Sequence, residues 1–285
     1  NRTGTVTKMT MLKIPLAGVI GAPIAHSKSP KLHAYWLYKT DLPGHYVPLH
    51  IEPKDLEQTL KILPKLGFVG LNVTVPHKEE VMRYVDVVTD RATLIGAANT
   101  LIFRPDGKIK ADNTDGFGFI RNLTTGAPDW NPDAGPALVL GSGGAARAVI
   151  AALLEAGVRE ILLTNRTRAR AENLKDIFGP KVKIIDWIDA GNAIDDAALL
   201  VNTTSLGMQG KPELRVPLDG LKRDTVVTDL VYAPLKTGLL SVAKEMGCLT
   251  VDGLGMLIHQ AAPGFQHWFG AHPPIDDATR AVLLK

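Results

Sequence analysis

The chain has 285 residues, of which 45% are hydrophobic, and this is enough apolar material for a large core spread over two domains. A net charge of +3, without any run rich in lysine or arginine, argues against a nucleic-acid-binding protein. The single cysteine excludes an intramolecular disulfide and a thiolate metal cluster, and no apolar run is long enough to span a membrane, so we predict neither a metal site nor a membrane partner.

The first ten residues lack the apolar core of a signal peptide. We therefore expect residues 1–10 to be a flexible lead-in and the cytoplasm to be the location. The composition leaves both a monomer and a homodimer open.

A short apolar strand over residues 16–21 is followed by Ser27 and Ser29, and Pro30 favours a helix start at this place. Two hydroxyl groups near a helix N-terminus can donate hydrogen bonds to a small carboxylate. The alternative is that Ser29 only caps the helix.

A helix from about residue 53 to residue 66 precedes a second strand, in which Asn72, Thr74 and Pro76 alternate with apolar residues. This alternation predicts a strand that is buried on one face and ends at Pro76. Lys78 follows where the next helix begins. Polar residues at the carboxyl end of a strand are favoured positions for a site, although a surface lysine is the commoner outcome.

Residues 105–107 form a strong turn signal and predict a hairpin whose return strand ends near Asp112. The residues that follow, 113–115, either cap the next helix or belong to a site. Residues 124–135 read as a loop, so we place the domain boundary between residues 116 and 135.

The apolar residues 138–140 lead into Gly141, Gly143 and Ala146, which is the G-x-G-x-x-A form of the dinucleotide-binding turn. Gly141 permits the tight turn and Gly143 allows the backbone to approach a pyrophosphate. The unpaired N–H groups at the start of the following helix point at the anion. An ordinary strand-to-helix turn is the alternative.

The next strand, residues 160–164, ends in a segment that carries three arginines (Asn165, Arg166, Thr167, Arg168, Ala169 and Arg170). An NAD-selective site usually has an acidic residue here, whereas arginine binds a 2′-phosphate. The segment therefore predicts NADP as the cofactor. The alternative, a solvated helix start, is disfavoured because cations near a helix N-terminus need a compensating anion.

Strands and helices continue to alternate through residues 183–186, 198–202, 225–230, 237–247 and 249–251. This pattern predicts an α/β protein with a doubly wound, mostly parallel sheet. In the C-terminal part, helical spacing assigns Leu257, Ala261 and Phe265 to the core. Gln260 then lies either at the surface or in a cleft, and residues 276–284 form a last amphipathic helix that packs back on the first domain.

Seven blocks of this sequence resemble, in order, the signatures of the shikimate dehydrogenase (shikimate/quinate dehydrogenase) family: residues 21–30, 72–78, 96–100, 113–116, 141–145, 165–167 and 252–257. The resemblance implies a Rossmann-type NADP-binding domain and an α/β substrate-binding domain with a cleft between them. It implies domains at 11–115 and 116–250, with C-terminal helices in 251–285. It also implies the NADP-dependent, reversible reduction of 3-dehydroshikimate to shikimate in aromatic amino acid biosynthesis.

Carried over residue by residue, the resemblance makes Lys78 and Asp115 the catalytic pair. It assigns the substrate to Ser27, Ser29, Thr74, Asn99, Tyr232 and Gln260. It assigns the cofactor to Gly141, Ser142, Gly143, Gly144, Ala145, Asn165, Arg166, Thr167, Arg168, Arg170, Thr203, Leu230, Gly253 and Met256.

The chemistry agrees with these residue types. Hydride transfer to a carbonyl carbon leaves negative charge on oxygen, and a nearby ammonium can stabilise that charge and then donate its proton. Asp115 would favour the charged form of Lys78, so we expect alkaline pH to favour the oxidation direction. A quinate or dual-specificity dehydrogenase is the nearest alternative, although the Ser27 and Ser29 pair favours shikimate. The presence of both Lys78 and Asp115 argues against a non-catalytic NADP sensor.

Overall fold

A computed structural model describes residues 13–285, so the predicted lead-in of residues 1–10 lies outside the described part. The strands are β1 (Leu16–Gly21), β2 (His45–His50), β3 (Phe68–Val73), β4 (Val87–Val88), β5 (Thr100–Phe103), β6 (Ile109–Asp112), β7 (Ala137–Leu140), β8 (Ile161–Thr164), β9 (Val182–Ile185), β10 (Leu199–Asn202), β11 (Val226–Asp229) and β12 (Leu249–Val251). The helices are α1 (Ser29–Thr40), α2 (Leu56–Ile62), α3 (His77–Glu80), α4 (Asp90–Ile95), α5 (Asp115–Gly126), α6 (Gly144–Glu155), α7 (Arg168–Phe178), α8 (Ala190–Ala193), α9 (Gly238–Glu245), α10 (Leu254–Phe269) and α11 (Asp277–Leu284).

The twelve strands of residues 13–285 form two six-stranded sheets that share no strand. The first has the order β2-β1-β3-β5-β6-β4, and its β5–β6 pair is the antiparallel hairpin that the turn signal predicts. The second has the order β12-β11-β10-β7-β8-β9 with every pair parallel. This is the doubly wound dinucleotide-binding order, in which ligands bind beyond the carboxyl ends of the strands where the order reverses. The α/β prediction is therefore confirmed.

Helix α5 packs between α6 and α10 because glycines let its backbone approach both helices. A Cβ added at Gly116 would lie 3.0 Å from the carbonyl oxygen of Ala148 in α6. One added at Gly118 would lie 2.8 Å from the backbone nitrogen of Gln260 in α10. The helix ends at Gly126, so part of the predicted loop over residues 124–135 is helical.

The C-terminal helices return to the first sheet. Buried residues of α10, among them Ile258 and Phe265, share a core cluster with Val19 of β1 and Leu32 of α1. Leu283 of α11 belongs to the same cluster. The last two helices therefore pack on the first sheet, although they follow the last strand of the second sheet.

His33 of α1 lies in this core and is fully buried. Its ring stacks on that of Tyr46 with 3.8 Å between ring centroids, and neither ring nitrogen has a hydrogen-bond partner among the described residues. Burial lowers the pKa of His33 from 6.5 to about 3. The core is therefore built around a neutral imidazole.

We expect this histidine to make the fold sensitive to acid. Below pH 6.5 the unfolded chain binds a proton at His33 that the folded chain does not bind until about pH 3, so stability falls as the pH falls. Between pH 6.5 and about pH 5 the loss from this group is about 2 kcal/mol. Urea unfolding of the wild type and His33→Leu, followed by circular dichroism at several pH values, measures it. Identical pH dependence in the two proteins would contradict the assignment.

Candidate active site

A cleft of about 510 Å³ is lined by strand residues of the first sheet, by the segment after β11 of the second sheet and by α10. Strands β1 and β3 are parallel, so the segments after them, which carry Ser27 and Lys78, reach the same edge of the first sheet. Strand β5 is antiparallel to β3, which brings Asn99, just before β5, to that edge as well. Strand β6 is antiparallel to β5 in turn and delivers Asp115. The topology thus explains why these separated residues converge.

Lys78 and Asp115 form an ion pair in the cleft. The Nζ atom of Lys78 donates a hydrogen bond to Oδ2 of Asp115 at 2.6 Å. The side chain of Lys78 is 24% exposed and that of Asp115 is 9% exposed, so the amine remains accessible while its partner is buried. Asp115 is the first residue of α5, where a negative charge is favoured, and its N–H donates to Oδ1 of Asn113 at 3.0 Å.

The side-chain amide of Asn99 is fixed by its neighbours. Its Oδ1 accepts a hydrogen bond from the backbone N–H of Thr114 at 2.9 Å, which leaves Nδ2 as the donor on the other side. Nδ2 lies 3.0 Å from both Oδ1 of Asp115 and Oε1 of Gln260. Gln260 therefore faces the cleft and not the surface, and three predicted polar residues form one network.

The two predicted serines lie where the segment after β1 meets the start of α1. Helix α1 begins at Ser29, its N-cap position is Lys28, and no side chain caps it, so the alternative role for Ser29 is wrong. The hydroxyl oxygen of Ser27 accepts from the backbone N–H of Ser29 at 3.3 Å. Both serines line the cleft with Thr74.

Strand β3 differs from the prediction. It ends at Val73, three residues before Pro76, and residues 70–73 are all buried. Asn72 tolerates burial because its side chain is paired at both ends: Oδ1 accepts from Tyr46 at 2.7 Å and Nδ2 donates to the carbonyl oxygen of Asn99 at 3.2 Å. The sequence alternation is the same whether an asparagine is buried with its amide hydrogen-bonded or faces solvent.

A second cavity, of about 290 Å³, lies beyond the carboxyl ends of β7 and β10 in the second sheet. Gly141 has φ +107°, and a Cβ there would lie 2.6 Å from Oγ1 of Thr203, so the turn requires glycine. Gly143 and Gly144 face open space. The Ser142 hydroxyl oxygen is buried without a hydrogen-bond partner among the described residues. These features fit a bound pyrophosphate.

The predicted arginines separate into two groups. Arg166 and Arg170 line the second cavity, together with Asn165. Arg168 instead contacts the carboxylates of Glu172 and Asp186, so it differs from the prediction, and these acids supply the compensating charge at the start of α7. Thr167 precedes α7 as its N-cap residue.

The remaining predicted cofactor and substrate residues line the first cleft: Ala145, Leu230, Tyr232, Gly253 and Met256. Burial raises the pKa of Tyr232, which keeps its hydroxyl neutral as a hydrogen-bond donor. Leu257 was assigned to the core by helical spacing but is only half-buried and lines the cleft. Sequence reasoning also missed Met208 in the first cleft and Trp187 in the second cavity.

Three family models match this chain. They describe the shikimate dehydrogenase substrate-binding domain (residues 19–101), shikimate/quinate 5-dehydrogenase (residues 131–208) and the shikimate 5′-dehydrogenase C-terminal domain (residues 253–283). The chain is also 63% identical to shikimate dehydrogenase (NADP(+)) from Ruegeria sp. over 276 residues, which cover 97% of this chain and all of the relative.

The chain belongs to the shikimate dehydrogenase family.

Solved structures of the family have the same fold. The enzyme from Thermus thermophilus in complex with NADP(H) and shikimate is 36% identical, with a TM-score of 0.84 over 94% of this chain and 99% of that one. The quinate dehydrogenase from Corynebacterium glutamicum in complex with NAD is 32% identical, with a TM-score of 0.88 over 94% of this chain and 98% of that one. Fold likeness alone therefore does not separate the two substrates, and the site residues must.

Proposed function

We propose that this protein catalyses the NADP-dependent, reversible reduction of 3-dehydroshikimate to shikimate. The observation that carries the proposal is the Lys78–Asp115 ion pair. It lies in a cleft that is lined by polar side chains and by Ala145 of the dinucleotide turn. The relatives that share most of the sequence are named NADP(+) shikimate dehydrogenases. No helix among residues 13–285 is long and apolar enough to cross a bilayer.

The N–H groups of the turn at residues 141–145 would hold the pyrophosphate of NADP, and Arg166 and Arg170 would bind the 2′-phosphate of its adenosine. When bound, NADPH supplies the hydride. Lys78 stabilises the negative charge that develops on the substrate oxygen and then transfers a proton from Nζ to it. Asp115 holds the amine in the cleft through their hydrogen bond, and in the oxidation direction Lys78 accepts the proton back.

The substrate is oriented by groups on three sides. Ser27 and Ser29 hold its carboxylate. Thr74, Asn99 and Gln260 bind the ring hydroxyls. Tyr232, in the segment after β11, lines the cleft beside the substrate. Asn99 and Gln260 are already linked to Asp115 or to each other, so they need little rearrangement when the substrate binds.

A kinetic comparison tests the function. Purified protein is mixed with shikimate or quinate and with NADP+ or NAD+, and formation of the reduced cofactor is followed by its near-ultraviolet absorbance. We expect the highest kcat/KM with shikimate and NADP+. Higher efficiency with quinate would replace the proposal by its nearest alternative, and no turnover of either substrate would support a non-catalytic sensor.

Ser27→Ala tests the carboxylate site. Hydrogen bonds to a charged group contribute about 1.5–3 kcal/mol, so KM for shikimate should rise roughly 10- to 100-fold while kcat changes little. Ser241→Ala in α9, on the second sheet, is the matched control and should leave both constants unchanged. A fall in kcat at unchanged KM would contradict the binding role of Ser27.

The division into residues 11–115, 116–250 and 251–285 is part of the proposal. The two sheets support it, because their strands come from residues 16–112 and 137–251. The cytoplasmic location and the choice between a monomer and a homodimer stay predictions.

A further inference from the structure

An arginine of α6, a helix that follows β7 of the second sheet, contacts α4, a helix that lies among the elements of the first sheet. Arg147 lies in α6, and its Nη1 atom donates a hydrogen bond to the carbonyl oxygen of Ile95, the last residue of α4, at 3.3 Å. This carbonyl is at a helix C-terminus, where the helix supplies no donor. No carboxylate among residues 13–285 forms an ion pair with Arg147, so Ile95 is the partner that orients it.

The contact is closely fitted. Gly96 ends α4 with φ +72°, and a Cβ there would lie 3.1 Å from Nη1 of Arg147. Around it, Ile95, Ala97 and Ala148 form a small buried cluster of their own. The guanidinium group of the half-buried Arg147 therefore meets the end of α4 beside this buried cluster.

The segment that Arg147 reaches holds both members of the catalytic pair. The backbone N–H of Ala98 donates to the carbonyl oxygen of Lys78 at 2.8 Å. The side chain of Asn99 binds the carboxylate of Asp115 at 3.0 Å. The carbonyl oxygen of Ala97 also accepts from Asn113, whose own side chain binds the backbone N–H of Asp115.

The other end of Arg147 is connected to the dinucleotide turn. Its backbone N–H donates to the carbonyl oxygen of Gly143 at 3.1 Å, which closes the first turn of α6. Ser142 and Gly143 line the second cavity. A ligand that orders this turn also orders the backbone from which the Arg147 side chain extends.

We propose that Arg147 is a positioning residue that couples occupancy of the dinucleotide site to the binding of substrate at the Lys78–Asp115 pair. With the cofactor bound, the first turn of α6 is fixed, Arg147 holds the end of α4, and the segment 95–99 presents Lys78, Asn99 and Asp115 in the geometry that binds the substrate. By linkage, the substrate must then tighten the cofactor by the same factor. The inference rests on the proposed function.

The test measures this mutual effect with ligands that cannot react together. The Kd of shikimate is measured by titration calorimetry with and without saturating NADPH. In the wild type we expect NADPH to lower the Kd of shikimate by a factor in the usual range of about 5 to 150. In Arg147→Met the factor should fall to about 1, while the Kd of each ligand alone and the Tm stay close to the wild-type values. Arg147→Lys, which keeps a charged donor, should recover part of the factor.

The matched control is Arg159→Met, which removes an exposed arginine that pairs with Asp133 in the same half of the chain. It should keep the wild-type factor. The inference is overturned if NADPH does not affect shikimate binding in the wild type, if Arg147→Met keeps the full factor, or if this variant weakens each ligand alone, which would indicate a merely structural role. If the wild type binds neither ligand, the proposed function itself has failed.

Discussion

Lys78→Met is expected to lower kcat for shikimate oxidation by roughly 100- to 10,000-fold, which is the usual contribution of general acid–base catalysis. Methionine keeps most of the side-chain volume but removes the group that accepts and donates the proton. Because Asn99 still binds the carboxylate of Asp115, the substrate contacts of the cleft should survive, and KM should change far less than kcat. Steady-state kinetics of both directions measure the two constants.

Two comparisons make this result specific. Lys61→Met removes the same charge from an exposed ion pair with Glu57 and should leave kcat unchanged. The wild-type oxidation rate should rise from neutral to alkaline pH, and the residual activity of Lys78→Met should lose that rise. A change confined to KM would instead make Lys78 a binding residue.

The second large effect is on cofactor selection. Arg166→Ala and Arg170→Ala each remove a cation from the cavity that receives the 2′-phosphate. A hydrogen bond to a charged group contributes about 1.5–3 kcal/mol, so each change should raise KM for NADP+ roughly 10- to 100-fold. KM for NAD+, which lacks this phosphate, should change little. The ratio of kcat/KM for the two cofactors is the decisive measurement.

Arg168→Ala is the control that the structure offers for this pair. The residue has the same charge and lies between the two in sequence, but it contacts Glu172 and Asp186 and does not line the cavity. Its removal should leave the cofactor preference unchanged. An effect of Arg168→Ala as large as that of Arg166→Ala would show that the assignment of the arginines is wrong.

Local pattern was sufficient for most of the fold. The strand before Gly141, the hairpin around residues 105–107 and the C-terminal helix could be predicted because each depends on neighbouring residues: an apolar run that ends in glycine, a turn signal, or helical spacing. The parallel arrangement of the second sheet follows from strand–helix alternation for the same reason, whereas its strand order does not. The serine and lysine segments were readable as site candidates because polar residues at strand ends are rarely required by packing.

The errors have a common physical cause, which is that they depend on partners distant in sequence. Arg168 is bound by Glu172, four residues away, and by Asp186, eighteen residues away, so a distant partner contributes to the direction of the side chain. Asn72 is buried because Tyr46 and Asn99 satisfy its amide. Leu257 lies on an apolar helix stripe, but the stripe is wide enough to face both the core and the cleft. Helical periodicity predicts that a residue is removed from solvent, but it does not predict whether the residue packs in the core or lines a cleft.

Helix α10 contributes Met256, Leu257 and Gln260 to the cleft, although it follows every strand in the chain. During synthesis on the ribosome, Lys78 and Asp115 therefore emerge, and both sheets can begin to form, before the third wall of the pocket exists. Catalytic competence is acquired last.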